Sequence, residues 1–362
     1  MSSPTKPRLH FLDWVRGVAA IIMLQGHVFD SFAAGAQRQE PVFVLSQFVG
    51  GMPPAIFLFL TGVTLAFLME SQERKELPWL RKLAGVFYRA RYLLLIAILF
   101  RLQLFLFAWP MGSWNDVLKV DILNCMGVSI LLMAPLALLG RMQRIRASLL
   151  AGIGIAAAAP LISNTDWSGA PDLLKHYLVP STQFFAIFPW AAFLAFGVAT
   201  GTMLKIASAR DLGRFAQWSA IAGFVLAVGA QQLSNIPYSV YSKSDFWIDS
   251  PWLVFIKLGI TLVLLGIAYL WTTHVSTGWS AVRQLGTTSL LVYWVHTEIV
   301  YGRLFWDIKG SLTTPQIVLA VLAVIAAMLG LSLAQTNWPR IRAAAAARQF
   351  NFSLEPTRAE GD

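Results

Sequence analysis

Apolar runs long enough to cross a bilayer recur along the chain at about 11–33, 44–69, 86–109, 119–140, 146–163, 184–206, 215–234, 251–273, 284–305 and 315–335. A hydrocarbon core takes about 20 helical residues to span. The pattern therefore predicts an all-α, polytopic membrane bundle of roughly ten transmembrane helices. The fifth run is the shortest. Polar segments between runs alternate in charge. The 2–3, 4–5 and 6–7 loops are basic (Arg74, Lys75, Arg81, Lys82, Arg89, Arg91; Arg141, Arg144, Arg146; Lys205, Arg210, Arg214), as are the tails with Lys6, Arg8, Arg340, Arg342 and Arg348. The intervening loops are poorer in Lys and Arg, with Arg283 of the 8–9 loop the weak member of the basic set. The positive-inside rule then places both termini in the cytoplasm.

The first run breaks its own apolar pattern. LDWVRGVAAIIMLQGHVFDSF, Leu12 to Phe32, carries Asp13, Arg16, His27 and Asp30. At 3.6 residues per turn these four share one stripe, with Arg16 and His27 three turns, roughly 16 Å, apart. Ionisable groups inside a span are costly and usually face a bundle interior or a wet site, so Arg16 and His27 are expected to line a single tunnel through the fold. Ala34-Gly35-Ala36 mimics a signal-peptidase site, but the apolar core is too long and too interrupted for a cleaved leader.

Composition agrees with the pattern. Of 362 residues, 57% are hydrophobic and 13% charged, and the mean hydropathy is +0.62; soluble domains carry about 25% charged residues. The net charge of +10 sits in short loops between apolar runs, which argues for membrane topology and against nucleic acid. Cys125 is the sole cysteine, so an intramolecular disulfide is excluded, and no His or carboxylate pair has convincing metal-ligand spacing.

Later spans add polar groups. The third holds Arg101 and Gln103, and the fourth opens DILNCMG with Asp121 and Asn124. The ninth, SLLVYWVHTEIVYG, carries Tyr293, His296, Glu298 and Tyr301. On this topology Arg101, His27, Asp30, Asp121, His296 and Glu298 fall in the outer half of the membrane. Arg101 should pair inside the bundle, and Glu298, two residues from His296, points to another face. Gly62, Gly197 and Gly201 suit close helix packing. The longest outward loops, SNTDWSGAPDLLKHYLVPSTQ and SNIPYSVYSKSDFWIDS, are where substrate contacts or aromatic anchors are expected. Residues 1–338 read as one transmembrane domain and 339–362 as a basic, then polar, cytoplasmic tail.

RLHFLDWVRGVAAIIMLQGHVFDSF resembles the opening motif of transmembrane acyltransferases. It is most similar to the heparan-alpha-glucosaminide N-acetyltransferase catalytic-domain family, in its bacterial members. FLFLTGVTLAF, DILNCMGVSIL, FPWAAFLAFGVATG and TTSLLVYWVHTEIVYG follow in the matching order, and Arg16 with His27 fits the Arg-x10-His pattern of the related acyltransferase-3 family. The resemblance implies transfer of an acyl group from cytoplasmic acetyl-CoA, or another acyl-CoA, to an acceptor across or within the membrane. The extra luminal domain of the eukaryotic sugar acetyltransferase is not seen, so a heparan acceptor does not follow.

On that reading Arg16, Arg81, Lys82, Arg89 and Arg91 are candidates for the CoA phosphates, since guanidinium groups bind phosphate bidentately. His27 is the candidate general base or acyl carrier, Asp30 could orient its ring, and His296 could donate to the carbonyl oxygen or help bind the acceptor. Arg101, Asp121, Asn124, Tyr293 and Glu298 are candidate acceptor contacts. The implied partners are membrane lipid and an envelope glycan or other small acceptor, in a bacterial inner membrane, as a monomer or an oligomer. The alternative is a transporter using the buried ionisable groups as a path, although no internal repeat is evident.

Overall fold

The computed structural model describes residues 9–109, 113–207, 211–275 and 278–352. Lys6, Arg8, Arg210 and the polar end of the tail lie outside the described residues, as do the side chains of Arg340 and Arg348. The described chain is all-α. Its helices are α1 (His10–Phe32), α2 (Pro41–Gly50), α3 (Pro53–Arg74), α4 (Trp79–Ala108), α5 (Trp114–Val117), α6 (Ile122–Leu132), α7 (Arg141–Asn164), α8 (Asp172–Leu178), α9 (Ile187–Ile206), α10 (Leu212–Ser234), α11 (Pro251–Leu270), α12 (Ala281–Thr287), α13 (Ser289–Tyr301) and α14 (Thr314–Phe352).

Among the described residues, seven helices are long and apolar enough to cross a membrane, with α2 and α3 counted together. The ten predicted runs all fall on helix, but four differ from uninterrupted apolar spans. α1 has the length and carries the four ionisable residues. The fourth run is the short α6 followed by a 3₁₀ turn over Ala134–Leu138, where Pro135 lacks an amide hydrogen for the α ladder. The ninth run divides at Thr288, whose φ of −118° and ψ of 21° separate α12 from α13. The second run also has a break, at Gly51 and Met52 before Pro53 and Pro54. The fifth run, the shortest in the sequence, is a full 24-residue helix. α14 continues past Trp338 without interruption.

Glycines let three pairs of backbones approach. An added Cβ at Gly62 would overlap the Leu194 carbonyl, and one at Gly197 the Phe59 carbonyl, so α3 and α9 pack closely at the centre of the main core. Gly223 and Gly259 do the same for α10 and α11. Gly17 and Gly286 join α1 to α12, where a Cβ would strike Val282 or Asp13 backbone oxygen. That contact sets the end of α1 bearing Asp13 and Arg16 directly against the α12–α13 break. At the other end of α1, Ser31 Oγ donates to Val300 O at 2.7 Å. The 302–313 connection ties back to α1 through Gly310 N to Ser31 O and Leu312 N to Phe32 O. α1 is thus fixed to α12 at one end and to α13 at the other. A separate polar lock joins α3 to α7. Arg144, fully buried, donates to Glu73 at 2.7 Å and to the Leu136 and Leu139 carbonyls, while Arg141 pairs with Glu70.

Candidate active site

His27 and His296 meet between α1 and α13. His27 Nδ1 lies 2.8 Å from His296 Nε2, and the rings are nearly parallel, 18° apart with centroids at 5.1 Å. His296 is fully buried, and its Nδ1 lies 2.7 Å from the Val292 carbonyl one helical turn back. A carbonyl only accepts, so His296 Nδ1 carries a proton and donates it. In the uncharged ring His296 Nε2 is then an acceptor, and His27 Nδ1–H donates to it. The two bonds together assign His27 its tautomer and leave Nε2 as the unprotonated nitrogen. No hydrogen-bond partner for that nitrogen is found among the described residues. An imidazole held at one nitrogen with the other open is the arrangement of a general base.

Two cavities lie on either side of this pair along α1, where the sequence suggested a single tunnel, and neither His27 nor His296 is in the lining of either one. The first, about 540 Å³, lies towards the N-terminal end of α1. It is lined by Asp13, Arg16, Thr64, Arg89 and Tyr293, and by residues 287–291 at the α12–α13 break. Arg16 pairs with Asp13 at 3.1 Å, and Arg89 donates to Thr64 Oγ1 at 2.9 Å. The N-terminal turn of α13 adds positive dipole to the two guanidiniums. Lys205 and Arg16 line a smaller adjoining cavity. The second cavity, about 770 Å³, lies towards the C-terminal end of α1. Its polar lining includes Asp30, Arg101, Asp116, Lys119, Glu298 and Arg303, three acids against three bases, with Phe105, Tyr301 and Trp306 among its aromatic walls.

Aromatic packing separates the two. Phe100 contacts Tyr293 and Trp294, both in the lining of the first cavity, with centroids 5.2 and 5.5 Å away. Trp294 Nε1 donates to Gln103, whose side chain also bonds Glu298 of the second cavity. A polar stripe on α1 does not by itself keep a tunnel open, because bulky rings from α4 and α13 fill the space in the middle.

The structure distributes the sequence candidates unevenly. Arg16 and Arg89 come together in the first cavity, whereas Arg81, Lys82 and Arg91 do not line it. Arg81 and Lys82 lie about two turns earlier on α4, and Arg91 is about 200° around the helix from Arg89, stacked on Tyr88. Asp30 does not hydrogen-bond to His27. It accepts from Tyr301 OH at 3.0 Å, faces Arg38 at 3.9 Å, and is half-exposed, being at the last turn of α1. Tyr301 is the aromatic link, its ring edge-on to His27 at 5.3 Å. His296 has both nitrogens committed, so it supports His27 and does not present a donor to an acyl oxygen. Arg101 finds the partner expected of it, Asp121, at 3.2 Å. Asp121 and Asn124 are bonded to each other and buried, behind Arg101 and outside both cavity walls. Tyr293 belongs to the first cavity and Glu298 to the second.

Sequence reasoning missed several lining residues: the Thr61 and Thr64 hydroxyls, Trp294, and Thr182 and Gln183 of the long loop before α9. The only signal for the threonines was their spacing on the same helix, which apolar neighbours obscured.

The family model described as heparan-alpha-glucosaminide N-acetyltransferase, catalytic, matches residues 8–241. The chain belongs to this family. A heparan-alpha-glucosaminide N-acetyltransferase catalytic domain with these apolar helices is an integral membrane acetyltransferase, for which the family implies acetyl-CoA as co-substrate. The match holds Arg16, His27 and Arg89, while His296 lies beyond it. No curated protein matches the chain.

Proposed function

We propose that the protein takes an acetyl group from acetyl-CoA on the cytoplasmic side and transfers it to a hydroxyl or amine of a sugar or similar small acceptor on the far side, with His27 as general base. The observation carrying this reading is the hydrogen-bonded series His27–His296–Val292, which leaves His27 Nε2 available. The first cavity suits the donor. Arg16, Arg89 and the α13 N-terminal turn would hold phosphate, and the hydroxyls of Thr61, Thr64 and Thr288 line the way inward. Acetyl-CoA supplies an activated thioester carbonyl. The balanced charge and aromatic walls of the second cavity suit a neutral, polyhydroxylated acceptor better than an anion.

In this reading His27 Nε2 removes the acceptor proton as the acceptor oxygen or nitrogen attacks the thioester carbonyl; the C–S bond then breaks, and the departing CoA thiolate takes that proton back from His27. The positive charge that develops on His27 is shared through its Nδ1–H bond to His296 and, beyond it, the Val292 carbonyl. Tyr301, its hydroxyl held by Asp30, packs edge-on with the His27 ring. An acyl-histidine route would use the same lone pair. The test is acetyl-CoA turnover by purified protein in liposomes, with glucosamine and other sugars as trial acceptors. Wild type transfers acetyl, and His27→Ala loses about 100- to 10,000-fold in kcat, the range for removing a general base. Retained activity in His27→Ala refutes the assignment. Two cavities at opposite ends of α1 would also suit a transporter, and sugar uptake without acetyl-CoA would favour that reading.

A further inference from the structure

Lys257 is the one charged residue of α11, in PWLVFIKLGITLVLLGIAYL, and the acetyl-transfer reading does not use it. It lines a third cavity, about 180 Å³, with Gln47, Phe48, Met52, Trp247 and Ile256. Its ammonium lies over the Trp190 ring, 5.0 Å from the centroid. Among the described residues no carboxylate or other acceptor bonds to Nζ. Cation–π attraction offsets part of the cost of a buried ammonium but not all of it. The C-terminal end of α2 at Gly51 is close by and adds a weak dipole contribution without a hydrogen bond. A full counter-anion is therefore missing from the protein itself.

The surroundings indicate where that anion comes from. Phe48, Trp247 and Ile260 at the cavity are exposed, in a chain whose outer surface faces lipid. Lys257 lies six residues, about 9 Å, along α11 from Pro251, a depth from which a lysine side chain reaches towards headgroups. An anion that also covers apolar surface is an amphiphile. We infer that Lys257 is the anchor of a site for the phosphate of an anionic phospholipid, whose glycerol and upper acyl chains cover Phe48, Trp247 and Ile260. The site would brace the catalytic helix. Gln47, in the same cavity, donates to the carbonyl of Gly26 at 3.2 Å, one residue before His27. The inference does not depend on the acetyl-transfer reading, since it is tested by lipid binding alone.

The test uses the purified full chain, with Lys257→Met, Lys257→Arg and Phe48→Glu variants. Co-purified lipids are quantified by mass spectrometry, and melting is followed with added phosphatidylglycerol, phosphatidylcholine or inorganic phosphate. Wild type and Lys257→Arg should retain phosphatidylglycerol and be stabilised by it. Lys257→Met should retain about fivefold less, the factor expected for one lysine at an anionic membrane surface. Phe48→Glu, which puts a carboxylate at an exposed position on the mouth, should lose retention likewise and guards against misfolding of the first variant. Undiminished retention in Lys257→Met overturns the site. So does equal stabilisation by phosphatidylcholine or by inorganic phosphate.

Discussion

Replacing His296 by Ala removes the acceptor for His27 Nδ1–H at 2.8 Å while leaving His27 itself in place. The loss has two parts. A buried donor is left unsatisfied, which costs about 1–3 kcal/mol. The ring is also free to rotate or to adopt the other tautomer, so that Nε2 is no longer the unprotonated nitrogen. If the whole cost is felt in the transition state, kcat falls by about 5- to 160-fold at 1.36 kcal/mol per decade. That is smaller than the loss for His27→Ala, because the base remains. The two residues act as a unit, so His27→Ala/His296→Ala should be no slower than His27→Ala alone. The assay is single-turnover acetyl transfer from radiolabelled acetyl-CoA at saturating donor, on protein shown to be folded by gel filtration. His296→Gln, whose amide oxygen can accept, should recover part of the rate. A His296→Ala enzyme as fast as wild type, or a double variant slower by the product of the two single effects, would show that the pairing does not serve His27.

Other expectations follow from the same geometry. Arg16→Ala and Arg89→Ala should each raise KM for acetyl-CoA by about tenfold, the loss of one charge-assisted phosphate contact at ~1.5 kcal/mol, with kcat little changed; Arg91→Ala, stacked on Tyr88, should leave KM alone. Asp121→Asn should weaken acceptor binding without altering the KM for acetyl-CoA, because it loosens Arg101 in the second cavity. Arg144→Ala leaves Glu70 to Arg141 but takes away the partner of Glu73 and of the Leu136 and Leu139 carbonyls, and should destabilise the fold by about 3–5 kcal/mol, read as an early melting transition with unchanged KM values. Gly62→Ala pushes α3 off α9 at the Leu194 carbonyl and should lower the melting temperature by the equivalent of about 1–3 kcal/mol.

Which parts of this were legible in the sequence depends on the range of the interaction. Helices were legible because a 20-residue apolar run admits few alternatives in a bilayer. Their breaks were less so. Pro135 and the Gly51–Pro54 stretch carried a local signal, but nothing around Thr288 announces that the ninth run divides there. His27 and Arg16 stood out because charge inside an apolar run is conspicuous. The partner of His27 was a matter of which helices pack together, and the nearest acid in sequence, Asp30, was the natural candidate. The structure instead supplies His296, 269 residues away. Arg101 and Asp121 were both flagged, and their pairing follows from burial. Among the basic residues of α4, sequence could count charges but not choose a face. The register of α4 against α3 admits Arg89 and turns Arg91 away. Lys257 carries a clear local signal, a single charge inside α11, but its neighbours in sequence do not say what it serves.

The most direct test of the central claim is a cryo-electron-microscopy structure with CoA bound. The predicted result is density for the phosphates at Arg16 and Arg89, with the Tyr293 and Trp294 rings displaced from Phe100 so that the thiol end reaches His27 Nε2. CoA density that leaves Arg16 and Arg89 uncontacted, or a thiol end remote from His27, would contradict it.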